Sequence, residues 1–187
     1  GLPYDVDAAR RLLAEAGHPN GEGLGPLVLS YNTETPYHEA VALAVGRMWE
    51  QKLGLTIEFK PYSWKEFIAV RSRGDFFIAR SGWFGDYGDP TTFLDLLKTG
   101  DGNNDAGFTY PKYDAMLAEA ADTLDPDERL SKLAEAEHYM LTEGTPVLPL
   151  YHYRLVHLFR PSDIQGVSLH PRNLQFYHLI HPAAAAE

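Results

Sequence analysis

Residues 80–90 run Arg-Ser-Gly-Trp-Phe-Gly-Asp-Tyr-Gly-Asp-Pro and gather an acid, flat aromatic rings and three glycines into one short stretch. Asp86 offers a counter-charge for a cation. Trp83 and Tyr87 flank it with apolar surface that ends in a polar edge. Gly82, Gly85 and Gly88 let backbone approach a partner closely or take up positive φ. Residue types alone leave a second role open for Asp86, as the cap of N–H groups in a turn.

The elements around this stretch must present it. Phe76-Phe77-Ile78-Ala79 reads as a buried strand over 76–80. A loop leaving such a strand end is where ligands sit in open α/β sheets. Arg80 closes the strand, and a charge there needs an acid or a ligand carboxylate. Ahead of it the order alternates. Val6, Ala9, Leu12, Leu13 and Ala16 space a helix that Gly17 and Pro19 stop. Leu27, Val28, Leu29 and Tyr31 form a strand. A helix capped by Thr35 follows, with Pro36 first and Gly54 ending it; Val41, Ala44, Val45, Met48 and Trp49 make its buried side. Leu55, Ile57 and Phe59 alternate as a half-buried strand. Ser63 to Glu66 is a capping box for a helix reaching Arg73.

Beyond the loop, Asp89 and Pro90 open a helix that closes near Lys98, and 99–107 is a loop. Helices are expected over 111–123 and 126–143, the second opened by Asp125-Pro126 with Glu128 placed for a capping box. Pro146 to Tyr153 and Leu155 to Phe159 are β-rich apolar runs, Leu174 to Ile180 is a last apolar run, and Ala183 to Glu187 frays.

Composition narrows the classes. At 187 residues the chain can bury one good core, and its 44% hydrophobic and 22% charged residues are ordinary for a globular domain. Without cysteine there is no disulfide and no thiol chemistry. Net charge is −10, from 26 acids against 16 bases, which argues against nucleic acid as a partner. No apolar run approaches the roughly 20 residues of a membrane span.

Catalytic patterns are missing: no Gly-x-Ser-x-Gly elbow, no phosphate loop, no His-Glu-x-x-His helix. His152 and His157 lie five apart on strand-like sequence and face opposite ways, and His178 and His181 sit near a fraying end. Asp89-Pro90 reads as a helix start rather than half of an acid pair with Asp86. Neither an enzyme nor a metal or cofactor site is expected.

The pattern of strand, small residue, Gly-Trp, two residues, Asp-Tyr, one residue, acid and Pro resembles a known signature. It is that of the extracellular peptide-binding proteins that serve ABC importers, the oligopeptide/dipeptide-binding type. The opening helix, with its run Leu12-Leu13-Ala14-Glu15-Ala16-Gly17, resembles the same family, and the likeness covers nearly the whole chain. It implies an α/β, periplasmic-binding-protein-like lobe with a mixed sheet flanked by helices, lacking the N-terminal lobe. Residues 1–160 would be the C-terminal ligand-binding lobe, and 161–187 a tail returning to the missing lobe. Implied partners are a peptide, a membrane permease and that missing N-terminal part, in the periplasm or outside the cell.

The resemblance also implies roles for residues. Asp86 holds the ligand α-ammonium beside Gly82 and Trp83 of the signature. Phe84 stands where several relatives carry a smaller residue and narrows the adjacent pocket. Asn32 and His38 line the cleft, Trp64 and Arg71 form pockets or anion contacts, and Tyr153 lies near the lobe crossing. Read without the resemblance, Trp64 is core, Arg71 is solvated and His38 is a helix-terminal residue in water. Two other functions stay open: the same scaffold with a metal complex, haem, sugar or opine as ligand, or a structural domain. The acid at position 86 favours peptides, because a free amino group needs it.

Overall fold

Two crossovers build the central layer of the chain, whose computed structural model describes residues 2–154, 156–168, 170, 172 and 174–183. Strand β1 (Leu27–Asn32) leads through helix α2 (Pro36–Leu53) to β2 (Ile57–Tyr62). Helix α3 (Trp64–Ser72) then returns the chain to β3 (Ile78–Ala79). Strand order is β2-β1-β3, with parallel pairing throughout and Leu29 opposite both Phe59 and Ile78. Right-handed crossovers in opposite directions put α2 and α3 on opposite faces. Accordingly β1 is covered on both sides, with Leu29, Ser30, Tyr31 and Asn32 all buried. Pro61 is tolerated because β2 pairs on one side only. Helix α1 (Val6–Glu15) precedes this unit, capped by Asp5, and Arg10 ties it to α2 through the Lys52 carbonyl at 2.8 Å.

Local chemistry explains most helix ends. Gly54, at φ 71, closes α2 in the left-handed conformation. The box at α3 forms, with Ser63 N–H and Oγ both donating to Glu66. Thr35 makes no capping bond, and α2 starts on Pro36 alone. The buried stripe of α2 also differs from expectation. Ala42 and Gly46 are buried, whereas Ala44 and Met48 face out. Small residues win that face because a β-carbon at position 46 would run into the Phe59 ring of β2.

A second core lies among helices. Short α4 (Thr91–Leu94) tightens into a 3₁₀ turn over Asp95–Leu97, and α5 (Pro111–Ala121) packs against α6 (Pro126–Tyr139). Leu94, Leu97, Phe108, Tyr113, Leu117, Leu133, Met140 and Leu141 fill the space between them. Burial pushes the Tyr113 phenol well above its usual range, and it donates to the Leu94 carbonyl at 2.7 Å. Asp125 caps α6 as expected, but the box is half made: the Glu128 side chain reaches Lys132 instead, at 3.0 Å. The helix then widens into a π turn over Met140–Gly144.

The β-rich runs correct the sequence expectation. In 146–153 and in the described part of 155–159 no residue joins a ladder, since none finds a strand to pair with. The run from 174 to 180 holds a 3₁₀ turn, Tyr177–Leu179, and then β5 (His181–Pro182) pairs antiparallel with β4 (Ile164–Gln165). Parallel and antiparallel pairing thus coexist, in separate ladders.

Candidate functional site

Strand order reverses between β1 and β3, and in open α/β sheets ligands bind in the crevice past the carboxyl ends at such a point. Asn32 ends β1 and Arg80 directly follows β3. The two meet there. Arg80 N–H donates to the Ser30 carbonyl at 2.8 Å, and its guanidinium reaches Asn32 Oδ1 at 3.4 Å and Tyr153 Oη at 2.5 Å. Among the described residues Arg80 has no carboxylate within ion-pair distance. Only Ile78 and Ala79 of the expected strand pair with β1, and Phe77 stands 66% exposed at its edge.

Close packing accounts for two of the three loop glycines. A β-carbon on Gly82 would lie 3.0 Å from Arg80 Nη2 and 3.3 Å from Tyr153 Oη; on Gly85 it would lie 3.1 Å from Thr92 Cγ2. None of the three adopts positive φ, and Gly88 faces open space, so nothing here requires glycine at 88. Phe84 stacks on Tyr153 with ring centres 5.1 Å apart, and Tyr151 packs edge-on against the same ring. Trp83, Phe84 and Tyr87 keep much of their surface exposed.

Asp86 is not a turn cap. Its own N–H donates to Thr92 Oγ1 at 2.8 Å, while its half-exposed carboxylate meets Arg172 Nη2 at 3.5 Å. Asp89, three residues on, does start the next helix by accepting from Thr91 N–H and Oγ1. Arg129 of α6 also grips it with both terminal nitrogens, at 2.7 and 2.9 Å. Those bonds hold the Asp89 carboxyl well below the usual carboxylate range.

His38 lies in the first turn of α2, with Nδ1 buried and unbonded among the described residues. Burial lowers its pKa, Arg80 lowers it further and Glu34 opposes them. Trp64 is half-exposed rather than core. Arg71 is not solvated: it pairs with Asp105 and lies 5.8 Å from the Phe67 ring centre. Asn32, Arg80, Gly82, Phe84 and Tyr153 thus form one cluster. Arg71 belongs to a separate contact between α3 and the 99–107 loop.

Sequence reasoning missed Glu34, Asp105, Arg129 and Arg172. Arg129 and Arg172 lie 40 and 86 residues from their acids, beyond any local pattern. Glu34 left a readable signal, an acid between a strand end and a helix start.

Residues 1–105 match the family described as bacterial extracellular solute-binding proteins, family 5, middle region. The chain belongs to this family. Its members are binding proteins, not enzymes. The chain is 34% identical over 155 residues to the periplasmic oligopeptide-binding protein OppA of Salmonella typhimurium, covering 83% of the chain and 28% of that protein. It is 36% identical over 153 residues to the periplasmic murein peptide-binding protein MppA of Escherichia coli, covering 82% and 28%. A crystal structure of a periplasmic oligopeptide-binding protein from Borrelia burgdorferi superposes with a TM-score of 0.83 at 29% identity, covering 97% of this chain and 37% of that one. This family-5 chain therefore has the periplasmic-binding-protein fold, and it spans about 28% of the length of these curated relatives.

Proposed function

We propose that this family-5 chain is the ligand-binding lobe of an ABC-importer substrate-binding protein. It captures extended peptides in a cleft between two lobes and delivers them to a membrane permease. Residues 1–160 make the lobe, and 161–187 return to the other lobe. Asp86 pairs with the peptide α-ammonium, and Arg80, with His38 beside it, takes a carboxylate.

One observation carries this reading: the 80–90 loop presents an acid and a base at the sheet's switch point. They are six residues apart in sequence, hence their Cα atoms are no more than about 22 Å apart. An extended peptide has the complementary pattern, a positive end, a flat backbone and a negative end. Backbone hydrogen bonds would supply affinity that ignores sequence, as in strand addition. Exposed rings of Trp83, Phe84 and Tyr87 would wall hydrated pockets where water satisfies varied side chains.

Leu148, Leu150, Val156, Leu158 and Phe159 stand exposed, an apolar surface that supports a covering second lobe. Closure of the lobes would be a population shift driven by ligand. The place of work is the periplasm or the cell exterior, free or anchored through the N-terminal part of the protein. No helix among the described residues is long and apolar enough to cross a membrane.

Calorimetry tests the ligand class and the two lobes together. The intact protein should give binding heat with a mixed pool of short peptides and none with sugars or nickel chelates. The 187-residue chain alone should bind that pool at least ~tenfold more weakly, for want of the second wall. Heat from sugars or chelates without heat from peptides overturns the ligand class. Equal affinity of chain and intact protein overturns the two lobes.

A further inference from the structure

Glu34 sits between β1 and α2, and its two oxygens serve two different elements. Oε2 accepts from Asn32 Nδ2 at 2.9 Å, and Oε1 accepts the backbone N–H of Trp64, the first residue of α3. The Asn32 hydrogen bond holds the Glu34 carboxyl below its ordinary value. Asn32 itself is 1% exposed, so its amide must find partners inside the protein.

That amide has two unlike ends. Its nitrogen only donates and its oxygen only accepts, whereas a carboxylate only accepts and a guanidinium only donates. An acid on one side and an arginine on the other therefore allow a single satisfied orientation. Glu34 draws Nδ2, and Oδ1 is left facing Arg80 Nη1 at 3.4 Å. Without the acid, Nδ2 loses its partner, and the long 3.4 Å bond to Arg80 alone is left to hold Oδ1. Arg80 continues the chain to Tyr153. The result is a line of four side chains, acid to amide to guanidinium to phenol, running from the end of β1 to the strand-end loop.

We propose that Glu34 is a positioning residue: by orienting Asn32 it aims the Arg80 guanidinium, and so fixes where a ligand carboxylate can bind. This rests on Arg80 as the carboxylate group of the proposed peptide site. Glu34 touches no ligand itself. Its second bond, to Trp64 N–H, sets the start of α3 against the same strand end, so one side chain registers both walls of the crevice.

The test compares alanine peptides of two to five residues, each as free acid and as C-terminal amide, on the intact protein. Wild type should prefer the acid for at least one length. Glu34→Ala should lose that preference, its affinity for the acid falling roughly tenfold more than its affinity for the amide. Glu34→Gln, which keeps an acceptor for the Asn32 amide, should retain most of the preference. If Glu34→Ala does not fold, Glu34→Leu replaces it with the same two outcomes, because it fills the space and offers the Asn32 amide no acceptor. Undiminished acid preference in the variant overturns the positioning role alone, as does an equal loss for acid and amide. A wild type that binds these peptides without any acid preference removes Arg80 as the carboxylate site, and the positioning role with it. A wild type that binds none of them overturns the peptide reading.

Discussion

Asp89 accepts from both terminal nitrogens of Arg129 and from Thr91 N–H and Oγ1, whereas the Asp86 carboxylate, three residues earlier, meets only Arg172 at 3.5 Å among the described residues. One loop thus holds the same side chain in two opposite states. At its far end the acid is a rivet: through Arg129 it fastens the loop to α6 and the helical core. At its middle the acid is left to the solvent, while the backbone beneath it is pinned by Thr92. A charge intended for a ligand needs such a frame, because ordering a loose loop at the moment of binding costs affinity.

Cutting the rivet should give the largest effect on stability. Arg129→Ala strands a partly buried carboxylate and removes two charge-assisted bonds, and should lower Tm by roughly 3–8 °C. The sign of its pH dependence follows from the depressed Asp89 carboxyl. The native state releases that proton more readily than the unfolded chain, whose carboxyl titrates near the ordinary value of 3.8. The stabilisation is complete above that value and declines as pH falls below it. Urea midpoints of wild type and variant should therefore converge toward pH 3. A gap that stays constant from pH 7 to pH 3 contradicts the ion pair as its source.

At the open end the effect should be smaller and opposite in kind. Arg172 and Asp86 are both about half-exposed, so their attraction is screened and worth little to the fold. Arg172→Ala should leave Tm within about a degree. Peptide affinity should rise by at most about fivefold, as the ligand ammonium no longer competes with the guanidinium. A large loss of stability would show that Asp86 is part of the rivet after all.

How much of this was legible in sequence follows the range of the interactions. Gly54, the Ser63–Glu66 box and Pro126 act within one turn, and each shaped its element as local chemistry requires. The central parallel unit is equally local, a strand-helix alternation whose crossovers have one hand. The facing of α2 was not legible, because the fit of Gly46 against Phe59 depends on a strand that arrives later in the chain. The runs after Pro146 carry strand-forming residues, yet strand formation is a property of pairs, and among the described residues no partner stands beside them. The packing of Gly82 against Arg80 is legible because a strand end and its loop are contiguous. The Arg71–Asp105 pair is not legible in local sequence, since Asp105 comes from a different loop. Asp89 was seen as a helix start but not as an anchor, the anchor being 40 residues away.

The most direct measurement is a cycle on the intact protein that combines Asp86→Ala with acetylation of the N-terminus of an alanine peptide. Removing one partner of a desolvated ion pair strands the other, so Asp86→Ala should weaken binding of the free peptide by roughly 30- to several-thousand-fold. Acetylation should damage wild-type binding to a similar degree and add little to the variant, the non-additivity of a direct contact. Equal binding of acetylated and free peptide by the wild-type protein would contradict Asp86 as the ammonium site.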